Sequence, residues 1–425
     1  MHALLFESVM KVFFRNIHLY LSLAAGIVIF CSCLTGTILV FEREINHTLH
    51  PQRYFVEASG HRMPLSQLTK AALKQVPKAK LASVMVFNDP LRTVEIGVIM
   101  PEKGKPEKGI NKKSTEEKSH KAGDNKGKDV KKGGENKKPN TTLYVNPYTG
   151  KVIEQFGKKG SFLFSVEMFH RFLLAGKDSA GDMIVGISSL LFLFILITGV
   201  VLWWPKTKAV FIKRIKVKWD GNTKRLVHDL HLVTGFYTSV FLIVIVLTGL
   251  VMSFTWANKA LFALTGSKLK EKDAKQPAST YSAGLKKLSA DEALEGLNLQ
   301  IKNAEYFTIR TPKDSVGTYS ISVLPKGAFE NTSDTYFIDQ YNGRIVSTEK
   351  FVDKSTGQRV RSFIKPVHTG SVYGLPTKII SFIVCLLSLI FPVTGVIMWL
   401  NRIKKKDRKK SVIRRPKAAK EALAV

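Results

Sequence analysis

Five histidines of this sequence stand beside long apolar stretches, where an imidazole ring can do chemistry. They are His18, His170, His228, His231 and His368. A neutral imidazole is a common ligand of transition metals, and an unpaired polar ring is costly to bury. The remaining histidines of the ten lie in polar or terminal sequence and receive no role.

One phrase that starts from a histidine occurs twice in the chain. Leu34-Thr35-Gly36 begins sixteen residues after His18, and Leu247-Thr248-Gly249 begins sixteen residues after His231. The distance from His228 to the same phrase is nineteen residues. The shared spacing predicts that the chain consists of two repeated halves.

Four uncharged apolar stretches are long enough to cross a bilayer as helices. They cover residues 17–41, 183–204, 232–256 and 379–400. The first is too long for a signal peptide and runs into Glu42 without a small-residue cleavage site, so we expect an uncleaved anchor. Four spans place both termini on one side, and the sequence predicts an α-helical, multi-pass membrane protein.

Basic residues account for the net charge of +32, and their positions indicate topology. Residues 205–226 carry eight Lys or Arg against one Asp, and residues 401–425 carry eleven against two acidic residues. Both segments adjoin spans, which predicts that they and the N-terminus are cytoplasmic. A third basic segment, 101–139, lies far from any span, where this rule has little weight. The charge therefore predicts no nucleic-acid partner.

The two regions between spans are predicted to be small exported α+β units. Alternating apolar residues predict strands at 81–88, 93–100, 141–156, 305–311, 318–325 and 334–351, and helical spacing predicts helices at 64–76 and 281–297. Each unit contains a strand, a turn closed by glycine and a strand, at Gly150 and Gly343. The Lys-rich insert 101–139 is predicted to be disordered.

The predicted boundaries follow from these segments. They are a cytoplasmic lead 1–16, helix 17–41, exported unit 42–165, an outer histidine segment with a helix 166–204, a basic loop 205–226, helix 227–256, exported unit 257–365, an outer histidine segment with a helix 366–400, and a basic tail 401–425.

All four spans carry a Thr-Gly pair in their last third. The pairs are Thr35-Gly36, Thr198-Gly199, Thr248-Gly249 and Thr394-Gly395. A glycine there allows either a neighbouring helix or a flat ligand to approach the backbone closely. The sequence leaves both interpretations open.

The predicted topology gives each membrane face a histidine from each half. His18, His228 and His231 fall on the cytoplasmic face, and His170 and His368 fall on the exported face. Two imidazoles from neighbouring helices are what a bis-histidine haem requires. The chain has no C-x-x-C-H motif, so we expect non-covalent haem b.

Other ligand sets and other functions compete with this interpretation. Zinc or copper sites usually include carboxylates or thiolates, and only Asp182 and Asp229 lie nearby. A lone interfacial histidine also serves as a headgroup contact. A proton-coupled transporter is expected to carry an ionisable residue in mid-bilayer, and the four apolar stretches have none. Four cations near the histidines are candidate partners of haem propionates: Arg15, Arg225, Arg171 and Lys365.

With these residues laid out, the chain resembles the PepSY-associated membrane-helix family, which includes siderophore-uptake reductases of the bacterial inner membrane. The resemblance covers nearly the whole chain. It depends on HLYLSLAAGIVIFCSCLTG, FHRFLL with GISSLLFLFILITGVVLWWPK, HDLHLVTGFY with LTG, VHTGSVYGLPTK with VTGVIMWLNR, and the two glycine-turn units, which look like PepSY domains. The departures are the Lys-rich insert and the additional His228.

The resemblance implies four helices, two PepSY-like periplasmic domains and two non-covalent b haems in the inner membrane, with both termini cytoplasmic. His18 and His231 would hold the cytoplasmic-side haem, and His170 and His368 the periplasmic one. An unidentified cytoplasmic or membrane donor would supply electrons that reduce a ferric siderophore or another ferric chelate outside, which makes the protein a ferric-chelate oxidoreductase. The alternative is a non-catalytic membrane protein that binds or regulates an exported partner.

Overall fold

The computed structural model describes residues 2–101, 139–269, 277–280, 286–298, 301 and 303–405. Most of the predicted insert 101–139 and the end of the basic tail lie outside the described residues. The helices are α1 (His2–Leu39), α2 (Glu42–Leu49), α3 (Pro51–Tyr54), α4 (Leu65–Gln75), α5 (Phe162–Phe172), α6 (Ala180–Trp203), α7 (Lys208–Arg214), α8 (Thr223–Ser253), α9 (Thr255–Leu264), α10 (Ala290–Asn298), α11 (Thr356–Thr369) and α12 (Leu375–Ser388). The strands are β1 (Lys80–Phe87), β2 (Val94–Ile99), β3 (Thr141–Val145), β4 (Val152–Gly157), β5 (Ala304–Arg310), β6 (Thr318–Pro325), β7 (Asp334–Asp339) and β8 (Ile345–Glu349).

Four helical stretches in the described part of the chain are long and apolar enough to cross a membrane. They are Val9–Leu39, Ala180–Trp203, Thr223–Ser253 and Leu375–Lys405. The last combines α12 with the helical residues 390–405, which resume after one turn residue, Leu389. The prediction of a multi-pass α-helical membrane protein is confirmed at this level.

The helices extend beyond the predicted stretches. α1 begins at His2, so most of the predicted cytoplasmic lead 1–16 is continuous with the first helix. The longer helices also take in ionisable residues near their ends, including Asp229 and Lys378. Lys378 is 8% exposed and donates from Nζ to Glu44 Oε1 at 2.7 Å.

The long helices form a bundle in which α1 and α8 each pack against α6 and α12. Its centre consists of apolar side chains, and in lipid such helices associate through van der Waals packing rather than through exclusion of water. The buried members include Ala25, Ile29, Phe192, Leu196, Leu242, Val246 and Val384.

The strands form one antiparallel sheet of eight, in the order β4-β3-β2-β1-β5-β6-β7-β8. Two separate exported units were expected, and the structure corrects this, because β1 pairs with β5 from Val84↔Ile309 to Phe87↔Tyr306. The pairing satisfies two strand edges that would otherwise be open to other chains. Alternate side chains such as Ile96 and Ile321 are fully buried, so both units share one core.

The two glycine turns are built alike. Gly150 and Gly343 have φ of 68° and 72°, a conformation that favours glycine. In the first turn Asn146 Oδ1 accepts from the Tyr148 amide at 2.8 Å, and in the second Asp339 Oδ1 accepts from the Tyr341 amide at 2.8 Å. A short polar side chain at the start of each turn replaces a backbone acceptor.

The helix predicted at 281–297 is shorter in the structure. α10 starts at Ala290 because Ser289 and Glu292 form a capping box, in which the Ser289 amide donates to Glu292 Oε2 at 2.6 Å. Residues 286–289 are not helical, and 281–285 lie outside the described residues.

Candidate functional site

Two short helices that the sequence did not predict carry His170 and His368. α5 and α11 each precede a long helix, and each histidine lies in the last turn. Ser161 caps the start of α5, and Ser355 with Gln358 forms a capping box on α11. The other two histidines, His18 and His231, lie within α1 and α8.

The four histidines form two pairs at opposite ends of the bundle. The ring centres of His18 and His231 are 6.3 Å apart, and those of His170 and His368 are also 6.3 Å apart. We call them the terminal-end pair and the sheet-end pair, after the chain termini and the sheet. Each pair takes one ring from each half of the chain.

The separation matches the geometry of two imidazoles on one metal ion. An imidazole nitrogen binds a first-row metal at about 2 Å, so rings on opposite sides of the ion have centres roughly 6 Å apart. The rings are not stacked, with interplanar angles of 81° and 62°. Among the residues described, no three His, Cys, Asp or Glu side chains form a group that could hold a metal ion.

A threonine of a facing helix contacts every ring at Nδ1. The Nδ1–Oγ1 distances are 3.1 Å for His18 and Thr198, 2.9 Å for His170 and Thr35, 2.8 Å for His231 and Thr394, and 3.2 Å for His368 and Thr248. These threonines belong to the four Thr-Gly pairs. Within each half, the histidine of one helix meets the Thr-Gly of another.

The hydrogen bonds assign the histidine tautomer. Each threonine hydroxyl already donates to the carbonyl four residues earlier, as Thr394 does to Ile390 at 2.6 Å. The hydroxyl oxygen therefore accepts from the histidine, and the proton is on Nδ1. The described residues that hydrogen bond to these rings all do so at Nδ1, which leaves the Nε2 lone pair for a ligand.

The adjoining glycine makes room for the ring. A Cβ added at Gly199 would lie 3.2 Å from His18 Cε1, and one at Gly249 would lie 3.2 Å from His368 Cε1. At Gly36 the corresponding distance to His170 is 3.4 Å. The sequence left helix packing or a flat ligand as explanations of the glycines, and in the structure an imidazole from a neighbouring helix lies against each of these three.

The sheet-end histidines are held as neutral bases. Burial lowers the pKa of His170 to about 4, and the neighbouring His368 and Arg171 lower it further than the Ser32 carbonyl raises it. Burial also lowers the pKa of His368. A neutral imidazole is the form that binds a metal.

His228 is not a member of either pair. Its side chain is 51% exposed, and Nδ1 lies 3.4 Å from Asp229 Oδ1. His228 and His231 both lie on α8, three residues apart. His228 is therefore on a neighbouring face of the helix, and only His231 is paired with His18. The structure thus pairs His18 with His231, the histidine that has the same sixteen-residue spacing to a Leu-Thr-Gly sequence.

The predicted propionate cations are engaged elsewhere or exposed. Arg225 Nε donates to Asp229 at 2.7 Å, and Arg171 donates to Glu167 at 3.2 Å. Arg15 and Lys365 are exposed. Asp182 lies in the first turn of α6 and accepts from the Asp178 amide at 3.1 Å. Among the described contacts, neither these four cations nor Asp182 forms a hydrogen bond with a paired histidine.

The threonines are the site residues that the sequence interpretation missed. Their signal was present, since every span carries a Thr-Gly pair in its last third. The sequence interpretation assigned meaning to the glycine and none to the hydroxyl.

Comparison with known proteins agrees with this arrangement of helices. No curated protein matches the sequence significantly. The family model of the PepSY-associated TM region matches residues 15–402. That range includes nearly all of the four spans and all four paired histidines, and the chain therefore belongs to the PepSY-associated transmembrane family.

Proposed function

We propose that this protein holds two haem b groups without covalent attachment, one at each histidine pair, and carries electrons across the membrane to ferric chelates. The observation that supports this most directly is the pair of 6.3 Å separations at opposite ends of one bundle. Bound haem iron supplies reversible one-electron chemistry. His18 with His231 would hold one haem, and His170 with His368 would hold the other.

The residues between the pairs fit electron transfer better than ion transport. Along α1, His18 and Thr35 are separated by about 25 Å at 1.5 Å per residue, and Thr35 marks the level of the sheet-end pair. The described core between these levels is an apolar cluster that includes Phe192, Leu242 and Val246. Such a core excludes water and gives protons no chain of ionisable groups.

The ends of the bundle define the direction of transfer. The basic loop and tail at the terminal end favour the cytoplasm, so electrons from a donor enter at the terminal-end pair. A haem held by the sheet-end pair would supply one electron for each Fe(III) of a siderophore or other chelate outside. Ferrous iron binds hard oxygen donors less tightly, so reduction releases it. In this proposal the two four-stranded parts of the sheet are PepSY domains.

Purified protein in detergent tests the proposal. We expect two haems per chain, a spectrum that changes on adding dithionite, and return to the oxidised spectrum when a ferric siderophore is added without air. A colourless protein would overturn the proposal and favour the alternative, a membrane protein that binds or regulates an exported partner. Haem that stays reduced after addition of the chelate would overturn only the ferric-reductase step.

A further inference from the structure

The four histidines are not supported equally at Nδ1. Three of them have a second acceptor besides the threonine, a helix carbonyl three residues before it. His18 donates to Ile195 O at 3.0 Å, His170 to Ser32 O at 3.0 Å and His368 to Ile245 O at 2.9 Å. For His231, Thr394 is the only Nδ1 partner among the described residues.

The helix that carries Thr394 differs from the other three near that residue, because Pro392 has no N–H to donate to the Ser388 carbonyl. α12 ends at Ser388, Leu389 is a turn residue, and the helix resumes at Ile390. The other three Thr-Gly pairs lie in the uninterrupted helices α1, α6 and α8. The carbonyl equivalent to the second acceptor belongs to Phe391, two residues after Leu389.

The ring position of His231 agrees with a looser fit. A Cβ at Gly395 would lie 4.0 Å from His231 Cε1, against 3.2 Å to 3.4 Å at the other three glycines. The Phe391 ring centre lies 5.7 Å from the His231 ring centre. His231 therefore stands slightly away from its facing helix, and the Thr394 hydroxyl bridges the gap.

We propose that Thr394 is the positioning residue of the terminal-end site, and that its hydroxyl sets the affinity and reduction potential of the group bound by His18 and His231. This inference rests on the proposed haem function. Removing the hydroxyl leaves the His231 Nδ1–H without an acceptor. The ring then turns, or its proton moves to Nε2 and removes the lone pair that the metal needs. At the other three sites a carbonyl still accepts the proton.

The strength of the ligand depends on the same bond. An acceptor at Nδ1–H makes the imidazole a stronger donor to a metal and fixes its orientation. A stronger donor favours the oxidised ion. Loss of the Thr394 hydroxyl is therefore expected to raise the midpoint potential of the terminal-end haem. Loss of the hydroxyl of another of the four threonines is expected to change the midpoint potential at that threonine's own site by less.

Thr394→Val and Thr248→Val form a matched pair, because each removes one hydroxyl and keeps the shape of the side chain. Thr394→Val should weaken haem binding at the terminal end by about 10- to 100-fold and raise that haem's potential. Thr248→Val should change haem content and potential at the sheet-end site less than Thr394→Val changes them at the terminal end, and Thr394→Ser should give values close to those of the wild type. Equal haem content and potential in the Thr394 and Thr248 valine variants would overturn the inference.

Two further measurements separate folding and cofactor binding from positioning. If Thr394→Val does not fold, Thr394→Ala and Thr394→Ser differ by one hydroxyl and give the same comparison. In haem-free protein with ¹⁵N-histidine, solid-state NMR should show the His231 proton on Nδ1 in the wild type and a change of that signal in Thr394→Val. An unchanged signal would overturn the inference. Wild-type protein without haem would instead overturn the proposed function.

Discussion

Lys378 Nζ donates to both carboxylate oxygens of Glu44, at 2.7 Å and 3.0 Å. Glu44 lies on α2, just after the first span, and Lys378 lies in the first turn of α12, so this bond joins the two halves near the sheet-end pair. The lysine is 8% exposed, whereas the Glu44 side chain is 43% exposed. Substitution of Glu44 therefore leaves a buried ammonium group, whereas substitution of Lys378 leaves a carboxylate that is partly exposed.

We expect Glu44→Gln to destabilise the protein more than Lys378→Met. The first variant leaves a buried ammonium with a weaker acceptor, at a cost of about 1–3 kcal/mol. The second removes the buried charge and leaves a carboxylate that water reaches, which costs less. Unfolding in detergent of both single variants and the double variant measures this. Equal losses in the two single variants would contradict the explanation.

The same pair predicts how stability depends on pH. Burial by itself raises the pKa of Glu44, but the hydrogen bond and charge of Lys378 hold it below its ordinary value of 4.5. A depressed carboxyl pKa contributes stability above 4.5 that disappears as the pH falls through the folded-state pKa. Lys378→Met should therefore lose less stability than the wild type on acidification below that value. The melting temperatures of the two proteins, measured from pH 6 to pH 3, test this. An equal decrease in both proteins would show the explanation to be wrong.

Substitution of the two neighbouring histidines tests which one is a ligand. His231→Ala should remove about half of the haem and stop reduction of an external ferric chelate, because electrons no longer enter at the terminal end. His228→Ala should keep both haems and shift a potential at most, since its exposed ring contacts Asp229. Haem-to-protein ratios decide between them. A full ratio in His231→Ala with a loss in His228→Ala would make the exposed histidine the ligand.

The glycines beside the rings form a graded series. Gly249→Ala would bring a Cβ to 3.2 Å from His368, and overpacking of this kind costs about 1–3 kcal/mol. Gly395→Ala would place it 4.0 Å from His231, in ordinary contact. We expect a clear loss of haem and stability in the first variant and a small change in the second. Gly26→Ala, with no described atom within 4 Å, is the control.

The spans, the strands and the histidines were visible in the sequence because each depends on local pattern. A 22-residue apolar run such as 183–204 or an alternation such as TYSISVLP contains its own evidence, and β6 covers Thr318–Pro325 as predicted. The equal spacing from His18 and His231 also depends only on position along the chain.

The remainder depends on contacts between distant segments. Nothing local to β1 or β5 indicates that they pair, because both strands have alternating apolar residues that suit an edge or an interior position alike. The contact of His170 with Thr35 likewise requires α5 to pack against the end of α1. The break at Leu389 is different, because Pro392 has no N–H to donate to the Ser388 carbonyl and disfavours a regular helix there. The sequence therefore contained a local signal for the break that its interpretation did not use.

The last prediction concerns the Lys-rich segment between β2 and β3. Its two ends are held together, since Asn140 Oδ1 accepts from the Met100 amide at 2.8 Å and Asn140 Nδ2 donates to the Met100 carbonyl at 2.9 Å. The strands continue this contact, with Val98 opposite Thr141. A short turn can therefore close the hairpin without moving either strand.

Replacing residues 102–138 with a four-residue Gly-Ser linker should leave the fold, the haem content and both midpoint potentials unchanged. Each halving of a flexible loop reduces the entropy cost of closing it by about 0.6 kcal/mol, so stability should stay the same or rise slightly. A scrambled segment of the original length and composition is the matched control and should behave like the wild type. Melting temperature and the reduced-minus-oxidised spectrum measure both properties. Loss of haem or of folding in the shortened protein, with the scrambled protein intact, would mean that the hairpin needs the length of this segment.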